Sequence, residues 1–416
     1  MYLTIQLIAL WCKIKFFGVK DFPRTPNCQF NTFRNYHSMK KNYLRLYFWV
    51  VLIAVGLCSC VDPYEFDFEK DGKHLVVEGF LNDNQAAPDT IQIYYSNYSN
   101  EFAQILDADV VKASIIVEET KQEIPMKILA SGRLIPFPDF KLNPNYAYRL
   151  AFELKTGDKY QSTPEKINTT PPILNVKKQF NLQSVLSNDG KAYTSATELY
   201  VDFQDDPTAN NFYLWRYTHY EKLAFCKTCN NSVLDYKTQS CVTAPRGLNK
   251  AYYDYPCESA CYAILHNSKV MIQDDRASQG KLIKEKLVAQ IPFYNDYGCL
   301  VNLEQISVSL EVYKFYQLVR QLTQGTGGLA DTPPSAIVGN IQNVSNPDEK
   351  VVGYFGVANV QKYSFWIDRS DAVGPMALIL GHSIVEEPSN PPTRPPSAGC
   401  VPSANRTPIQ PKGWQQ

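Results

Sequence analysis

Tyr146-Ala147-Tyr148-Arg149-Leu150-Ala151-Phe152-Glu153-Leu154 decides the fold class, because it alternates apolar with polar residues as a half-buried antiparallel strand does. Upstream, His74-Leu75-Val76-Val77-Glu78-Gly79-Phe80, Thr90-Ile91-Gln92-Ile93-Tyr94-Tyr95 and Lys112-Ala113-Ser114-Ile115-Ile116-Val117-Glu118 read as further strands. Turn residues such as Asn82-Asp83-Asn84 and Gly157-Asp158 separate them. Short strands at this spacing predict a mainly β protein whose first domain, residues 73–170, is a β-sandwich of immunoglobulin or transthyretin-like type.

Downstream, Thr169-Thr170-Pro171-Pro172 marks a boundary, since paired prolines stiffen a connector and cannot continue a sheet ladder. A second β-sandwich domain is expected over 173–385, with strands at Thr197–Phe203, Phe212–Tyr217, Lys286–Ile291, Gln305–Val312, Val351–Phe355 and Tyr363–Ile367. One short helix is expected at Val312–Thr323, where Val312, Phe315, Tyr316, Val319 and Leu322 recur at three and four and Gly325 with Gly327-Gly328 ends the run. A cysteine-rich insertion interrupts this domain at about 221–280. Residues 386–416 form a proline-rich tail expected to lie along the surface without regular structure.

The N-terminal part speaks of location. Met39-Lys40-Lys41, the apolar run Leu44 to Leu57 and Leu57-Cys58-Ser59-Cys60 follow in the order of a secretory signal, 39–59, that ends in a lipoprotein processing site. About fourteen helical residues reach only ~21 Å, short of a ~30 Å hydrocarbon core, so a retained transmembrane anchor is the weaker reading. Cleavage before Cys60 would leave its sulfur and amine to carry fatty acyl chains such as palmitate, and two or three chains hold a domain on a bilayer. Because an export signal must be N-terminal, residues 1–38 read as an extension from a start codon assigned too early, with Met39 the expected start. Val61 to Gly72 is an acidic, aromatic tether over 60–72, either a plain spacer or a signal for display at the cell surface.

The whole chain is formally neutral, with 41 Lys and Arg against 41 Asp and Glu. Residues 1–59 hold eight of the basic residues and only Asp21, so the part from Cys60 carries 33 basic and 40 acidic side chains, a net charge of −7. An acidic body argues against nucleic acid, whose backbone demands clustered Lys and Arg. Twenty-seven Tyr and 27 Pro favour strands broken by turns over long helices.

After Cys60 come Cys226, Cys229, Cys241, Cys257, Cys261, Cys299 and Cys400. In an exported chain this cluster reads as disulfides stapling a loop-rich insertion. Cys226-Lys227-Thr228-Cys229 with Cys257-Glu258-Ser259-Ala260-Cys261 also offers zinc-like spacing, although oxidation competes with metal outside the cytoplasm. Seven is odd, so one thiol should stay unpaired, and the connectivity does not follow from spacing. Inside the insertion, Tyr252, Tyr253 and Tyr255 are candidates for stacking on a sugar ring or docking a partner protein; a buried cluster beneath the disulfides is the alternative.

Other chemistry is sparse. Gly381-His382-Ser383-Ile384-Val385 has half of a nucleophile elbow but lacks its closing glycine. No phosphate-binding glycine loop or H-E-x-x-H occurs, and His74, His219, His266 and His382 are scattered. Asp205-Asp206, Asp274-Asp275 and Asp62 to Asp71 lack EF-hand spacing and read as solvated loop carboxylates rather than calcium ligands. No catalytic residue, metal or cofactor is expected.

Taken in order, several pieces resemble the Bacteroidota lipoproteins grouped as domain-of-unknown-function family 4249. These are the lipobox cysteine, Val76-Val77-Glu78-Gly79, Tyr213-Leu214-Trp215-Arg216, Glu311 to Tyr316, Pro333-Pro334-Ser335, Gly339-Asn340-Ile341-Gln342-Asn343-Val344, Val352-Gly353-Tyr354-Phe355, Cys400 and Lys412-Gly413-Trp414. The resemblance implies a protein anchored in the outer membrane through acylated Cys60, usually encoded beside a TonB-dependent receptor, with no established catalytic residue. A non-enzymatic binding accessory to such a receptor is therefore expected, its small-molecule or glycan ligand unspecified; a structural or assembly subunit of an outer-membrane complex is the alternative. Gly339-Asn340 and Gly353 read as turn and bulge positions that need positive φ or close backbone approach.

Overall fold

Strands Lys73–Leu81 and Val352–Val357 lie side by side and parallel, with Val76 opposite Val352 and Glu78 opposite Tyr354. Two of the sequence pieces that carry the family resemblance are thus the two halves of one strand pair, joined across most of the chain. Gly353 is required there. Its φ is +95°, and a Cβ would stand 2.1 Å from the Val77 carbonyl oxygen, while a Cβ on Gly339 would stand 1.5 Å from the carbonyl oxygen of Gly353. Both were expected as positions of positive φ or close approach, and the close packing of three backbones is the physical reason.

The computed structural model describes residues 73–82, 90–99, 102–187, 191–207, 210–235, 237–244, 247–248, 250–324, 337–388 and 397–415. All belong to one unit, Phe68–Gln416. The signal, Cys60 and the acidic tether lie outside the described residues, as do Asp62 to Asp71.

The fold is mainly β, with one α-helix among the described residues. Two sheets share the N-terminal core. The first runs Val352–Val357, Lys73–Leu81, Ile91–Ser99, Arg133–Ile135, Lys127–Leu129. The second runs Ile341–Asn343, Lys159–Ser162, Ala147–Leu154, Val110–Val117, Glu123–Pro125. The alternation read in the opening stretch is the packing: Tyr148, Leu150, Phe152 and Leu154 all enter this core. Two further sheets share a second core. One is Ile173–Leu186, Tyr193–Gln204, Leu282–Pro292; the other is Val360–Ile367, Cys299–Val308, Phe212–Lys222, Tyr262–His266, Arg406–Thr407. Phe203, Tyr213 and Trp215 pack ring against ring at its centre.

Three boundaries expected from sequence need correction. Residues 341–343 and 352–357 belong to the N-terminal sheets, so 73–170 is not complete without a piece of 173–385. Nor does the insertion sit wholly outside the sheet: Tyr262–His266 and Met271–Asp274 both pair with Phe212–Lys222. The tail 386–416 is not merely draped on the surface. Cys400 is bonded to Cys261, Arg406–Thr407 pairs with Tyr262 and Ala263, and the Trp414 ring packs edge-on against Trp366 at 4.9 Å. Isolated apolar anchors and a covalent bond hold a proline-rich segment that has no strand pattern of its own.

The helix, expected at Val312–Thr323, spans Leu310–Gln324. Ser309 starts it, since its Oγ accepts from the Val312 N–H at 3.3 Å. Val312 and Tyr313 turn inward and, with Phe80, Leu214, Ile306 and Tyr354, form a cluster that joins strands of the first sheet to strands of the fourth.

The prolyl connector is bolted down. The Thr170 hydroxyl donates to the Asn359 carbonyl at 2.5 Å and accepts from the Ser307 N–H at 2.8 Å, while Gln305 donates to the Pro171 carbonyl at 2.9 Å. Beside it, buried Glu165 accepts from Tyr354 Oη at 2.6 Å and from Ser309 Oγ at 2.9 Å. Burial pushes the Glu165 carboxyl above its ordinary range, and these donors pull it back. Tyr354→Phe keeps the ring packing against Phe315 but leaves the carboxyl one donor short, at a cost of about 1–3 kcal/mol. A denaturant midpoint indistinguishable from that of the wild type would show that the Tyr354–Glu165 bond does not help to hold the two N-terminal sheets together.

Candidate functional site

The residues singled out from sequence converge on one stapled module. Phe225–Asn230 pairs with Tyr252–Pro256, and Ser232–Asp235 pairs with Ser240–Thr243. Such small sheets cannot bury enough surface alone, so covalent bonds carry part of the stability. Cys226 is bonded to Cys257, Cys229 to Cys241 and Cys261 to Cys400. Six of the seven candidates are paired.

Cys299 is the exception and corrects the sequence expectation for that residue. It opens the strand Cys299–Val308 with its thiol turned into the second core, away from the module. Burial pushes that thiol well above the ordinary range, and the neighbouring Glu221 adds to the effect.

The tyrosines divide. Tyr253 and Tyr255 are buried in the module's own core together with Cys226, Cys229 and Cys261, so neither can stack on an external ring. Tyr255 Oη accepts from the Leu234 N–H at 2.9 Å and donates to Glu387 at 2.7 Å. Tyr252 is half-buried; its hydroxyl donates to the Ser383 carbonyl at 3.0 Å and its ring packs on His382 at 4.4 Å. The buried satellite cluster, not a binding platform, is what the geometry shows for Tyr253 and Tyr255.

Between them Asp254 fastens a strap. Its carboxylate is fully buried and accepts from Thr228 Oγ1 at 2.7 Å and from the Val385 N–H at 2.9 Å, with His382 Nε2 at 3.0 Å. Burial would raise this carboxyl, but the Val385 N–H, His382 and Thr228 together hold it below its ordinary value. Its own N–H donates to the Val385 carbonyl at 2.6 Å. What it does is clamp segment 382–387 to the edge strand.

Asp205 and Asp275 are not solvated, contrary to the reading of those loops. Asp205 accepts from Tyr213 Oη and from the Gly280 N–H, and Asp275 accepts from the Asn211 N–H at 2.8 Å; both carboxylates are buried turn clamps. Asp274 pairs with Arg276 at 2.7 Å.

One cluster was missed entirely. Along Phe212–Lys222, the residues Tyr213, Trp215, Tyr217, His219 and Glu221 all face inward, so two ionisable groups follow three aromatics into the core. Arg369 meets Glu221 there at 2.5 Å. The period-two alternation of this strand, extended four residues past Tyr217, is the signal that would have found the pair.

No curated protein and no solved structure matches the chain. Residues 61–364 match the family described as Domain of unknown function (DUF4249), more than half of the sequence, and the chain belongs to that family.

Proposed function

We propose that the protein is a non-enzymatic lipoprotein, held at the outer membrane by acyl chains on Cys60, that serves as a binding accessory to a TonB-dependent receptor. The observation that carries this reading is the pairing of a processing sequence, Leu57-Cys58-Ser59-Cys60, with a β body whose surface module is closed by three disulfides, a combination suited to an oxidising compartment. A tether confines the body beside its partner, raising effective concentration through linkage rather than through tighter contacts. The bolted connector supports the same role, because a rigid body transmits its orientation to whatever it meets.

Labelling with radioactive palmitate tests the anchor: wild type should be processed and labelled, and Cys60→Ala should lose both. A Cys60→Ala product that is still labelled sinks the anchor. Copurification from detergent-solubilised membranes tests the partner, a stoichiometric β-barrel receptor being the expected result. A stoichiometric envelope complex without such a receptor would favour the structural-subunit reading instead.

A further inference from the structure

The sulfur atoms of Cys226, Cys257 and Cys261 lie within 4.8 Å of one another although they belong to two different disulfides. Cys400 is not one of the three, but it is the disulfide partner of Cys261, so opening that bond releases its thiol next to the group. A tetrahedral zinc–thiolate centre with ~2.3 Å bonds spaces its sulfurs about 3.8 Å apart, a separation inside the 4.8 Å that bounds the three sulfurs. Cys229, which sequence spacing would have enlisted with Cys226, is bonded to Cys241 and stands outside the group.

Backbone contacts independent of the disulfides hold these residues where they are. The Ala398 N–H donates to the Pro256 carbonyl at 2.9 Å and the Glu258 N–H to the Ala398 carbonyl at 2.9 Å, pinning the segment that leads to Cys400 beside Cys257. Beyond Cys400, Arg406–Thr407 pairs with Tyr262 and Ala263, the residues after Cys261. The Leu223 N–H donates to the Cys261 carbonyl and the Cys257 N–H to the Ala224 carbonyl, each at 2.8 Å. Opening the two disulfides therefore frees thiols without freeing the segments that carry them. The Arg406 guanidinium, donating to the Cys226 carbonyl at 2.5 Å, supplies positive charge against the double negative charge of a metal tetrathiolate. Cys257 and Cys400 are only half-buried, so a reductant and an ion can reach the cluster.

We propose that the reduced chain binds a thiophilic d10 cation, zinc above all, through Cys226, Cys257, Cys261 and Cys400, one metal centre replacing two disulfides as the cross-link of the module. Each disulfide takes two electrons and two protons from a dithiol, which becomes a disulfide itself; four thiols result, and their four protons leave as the cation binds. The stapled module thus has two closed forms, one oxidised and one metallated.

Full-length protein reduced with a dithiol, freed of it without oxygen and titrated with cobalt(II) should bind one ion per chain with the charge-transfer and d–d absorption of a tetrahedral thiolate site, and zinc should displace it. Cys261→Ser and Cys400→Ser should each weaken binding by more than about 100-fold, beyond the 10–100-fold typical of losing an outer-sphere partner, whereas Cys229→Ser should leave it unchanged. Alkylation of the reduced wild type gives a readout that needs no variant: zinc should protect Cys226, Cys257, Cys261 and Cys400 while Cys229 and Cys241 are labelled. Equal labelling of those four with and without zinc, absence of stoichiometric binding, or binding that follows Cys229 instead of Cys400 would each overturn the proposal.

Discussion

Arg369→Met is expected to destabilise the protein by about 3–5 kcal/mol, the usual cost of removing one partner from a buried ion pair. The guanidinium reaches both carboxylate oxygens of Glu221, at 2.5 and 3.0 Å, and also donates to the carbonyls of Asn295, Tyr297 and Pro292 at 2.9, 3.1 and 3.2 Å. Glu221 is fully buried on the inner face of Phe212–Lys222, so no water replaces what the arginine supplies. Burial pushes its carboxyl up to about 7, and Arg369 is what keeps it from rising further. Arg369 also sits at φ +57°, in the left-handed region that is uncommon for a non-glycine residue. Urea unfolding of Arg369→Met, Glu221→Met and the double variant measures the pair. The double variant should be destabilised by clearly less than the sum of the singles, because it leaves no unpaired charge. Additive effects, or a single-variant loss below about 1 kcal/mol, would show that the cluster is not a structural clamp.

His219→Phe is expected to stabilise the protein, and to do so increasingly in acid. The ring is buried beside Tyr217 and Tyr294, nearly parallel to the latter at 6.3 Å, and neither ring nitrogen has a hydrogen-bond partner among the described residues; Glu221 stands 3.8 Å away, too far for one. Phenylalanine keeps the packing and removes two unsatisfied groups, worth about 1–3 kcal/mol at neutral pH. Burial, helped by the charge of Arg369, depresses the His219 pKa from 6.5 to about 3. Between those values the unfolded chain binds the proton and the folded chain does not. The stability tied to a neutral His219 is therefore complete above pH 6.5 and is lost as pH falls through the window, by up to about 1.4 kcal/mol per pH unit. Glu221 acts oppositely. Its raised pKa means that the folded state holds the proton more tightly, a contribution present below its ordinary 4.5 and lost as pH rises to about 7. The two slopes offset each other between 4.5 and 6.5, so the variant-minus-wild-type difference isolates the histidine. That difference should widen by about 2–3 kcal/mol between pH 7 and pH 4.5 in chemical denaturation. A difference that does not move with pH would mean that His219 takes up its proton as readily in the folded as in the unfolded chain.

Wherever one face of a strand is buried and the other is not, the elements could be read directly. The alternation of Ala147–Leu154 placed Tyr148, Leu150, Phe152 and Leu154 in the core, and the three-and-four spacing of Val312, Phe315 and Tyr316 placed the helix to within two residues. Cysteine counting anticipated disulfides with one thiol left over, yet not that Cys299 would be the odd one. What separates it from them is the core it enters: the strand Cys299–Val308 buries it in the second core, whereas Cys226, Cys229 and Cys261 are buried in the module's own. Tyr252, Tyr253 and Tyr255 read alike as a run, but strand pairing turned two of them into the module's core.

From its residues alone the chain determined a β-rich class, an apolar run ahead of Cys60, a stapled insertion and membership of one family, because each is local or compositional: alternation, a short run, a count, an ordered set of pieces. Tertiary structure alone decided which distant segments meet. Val352–Val357 enters the first sheet beside Lys73–Leu81, Arg369 finds Glu221 across 148 residues, and Cys261 is bonded to Cys400 across 139. Contacts of that span rest on loop closure and on the packing of two cores, whose free energy is shared over many side chains, and no short stretch of sequence carries it.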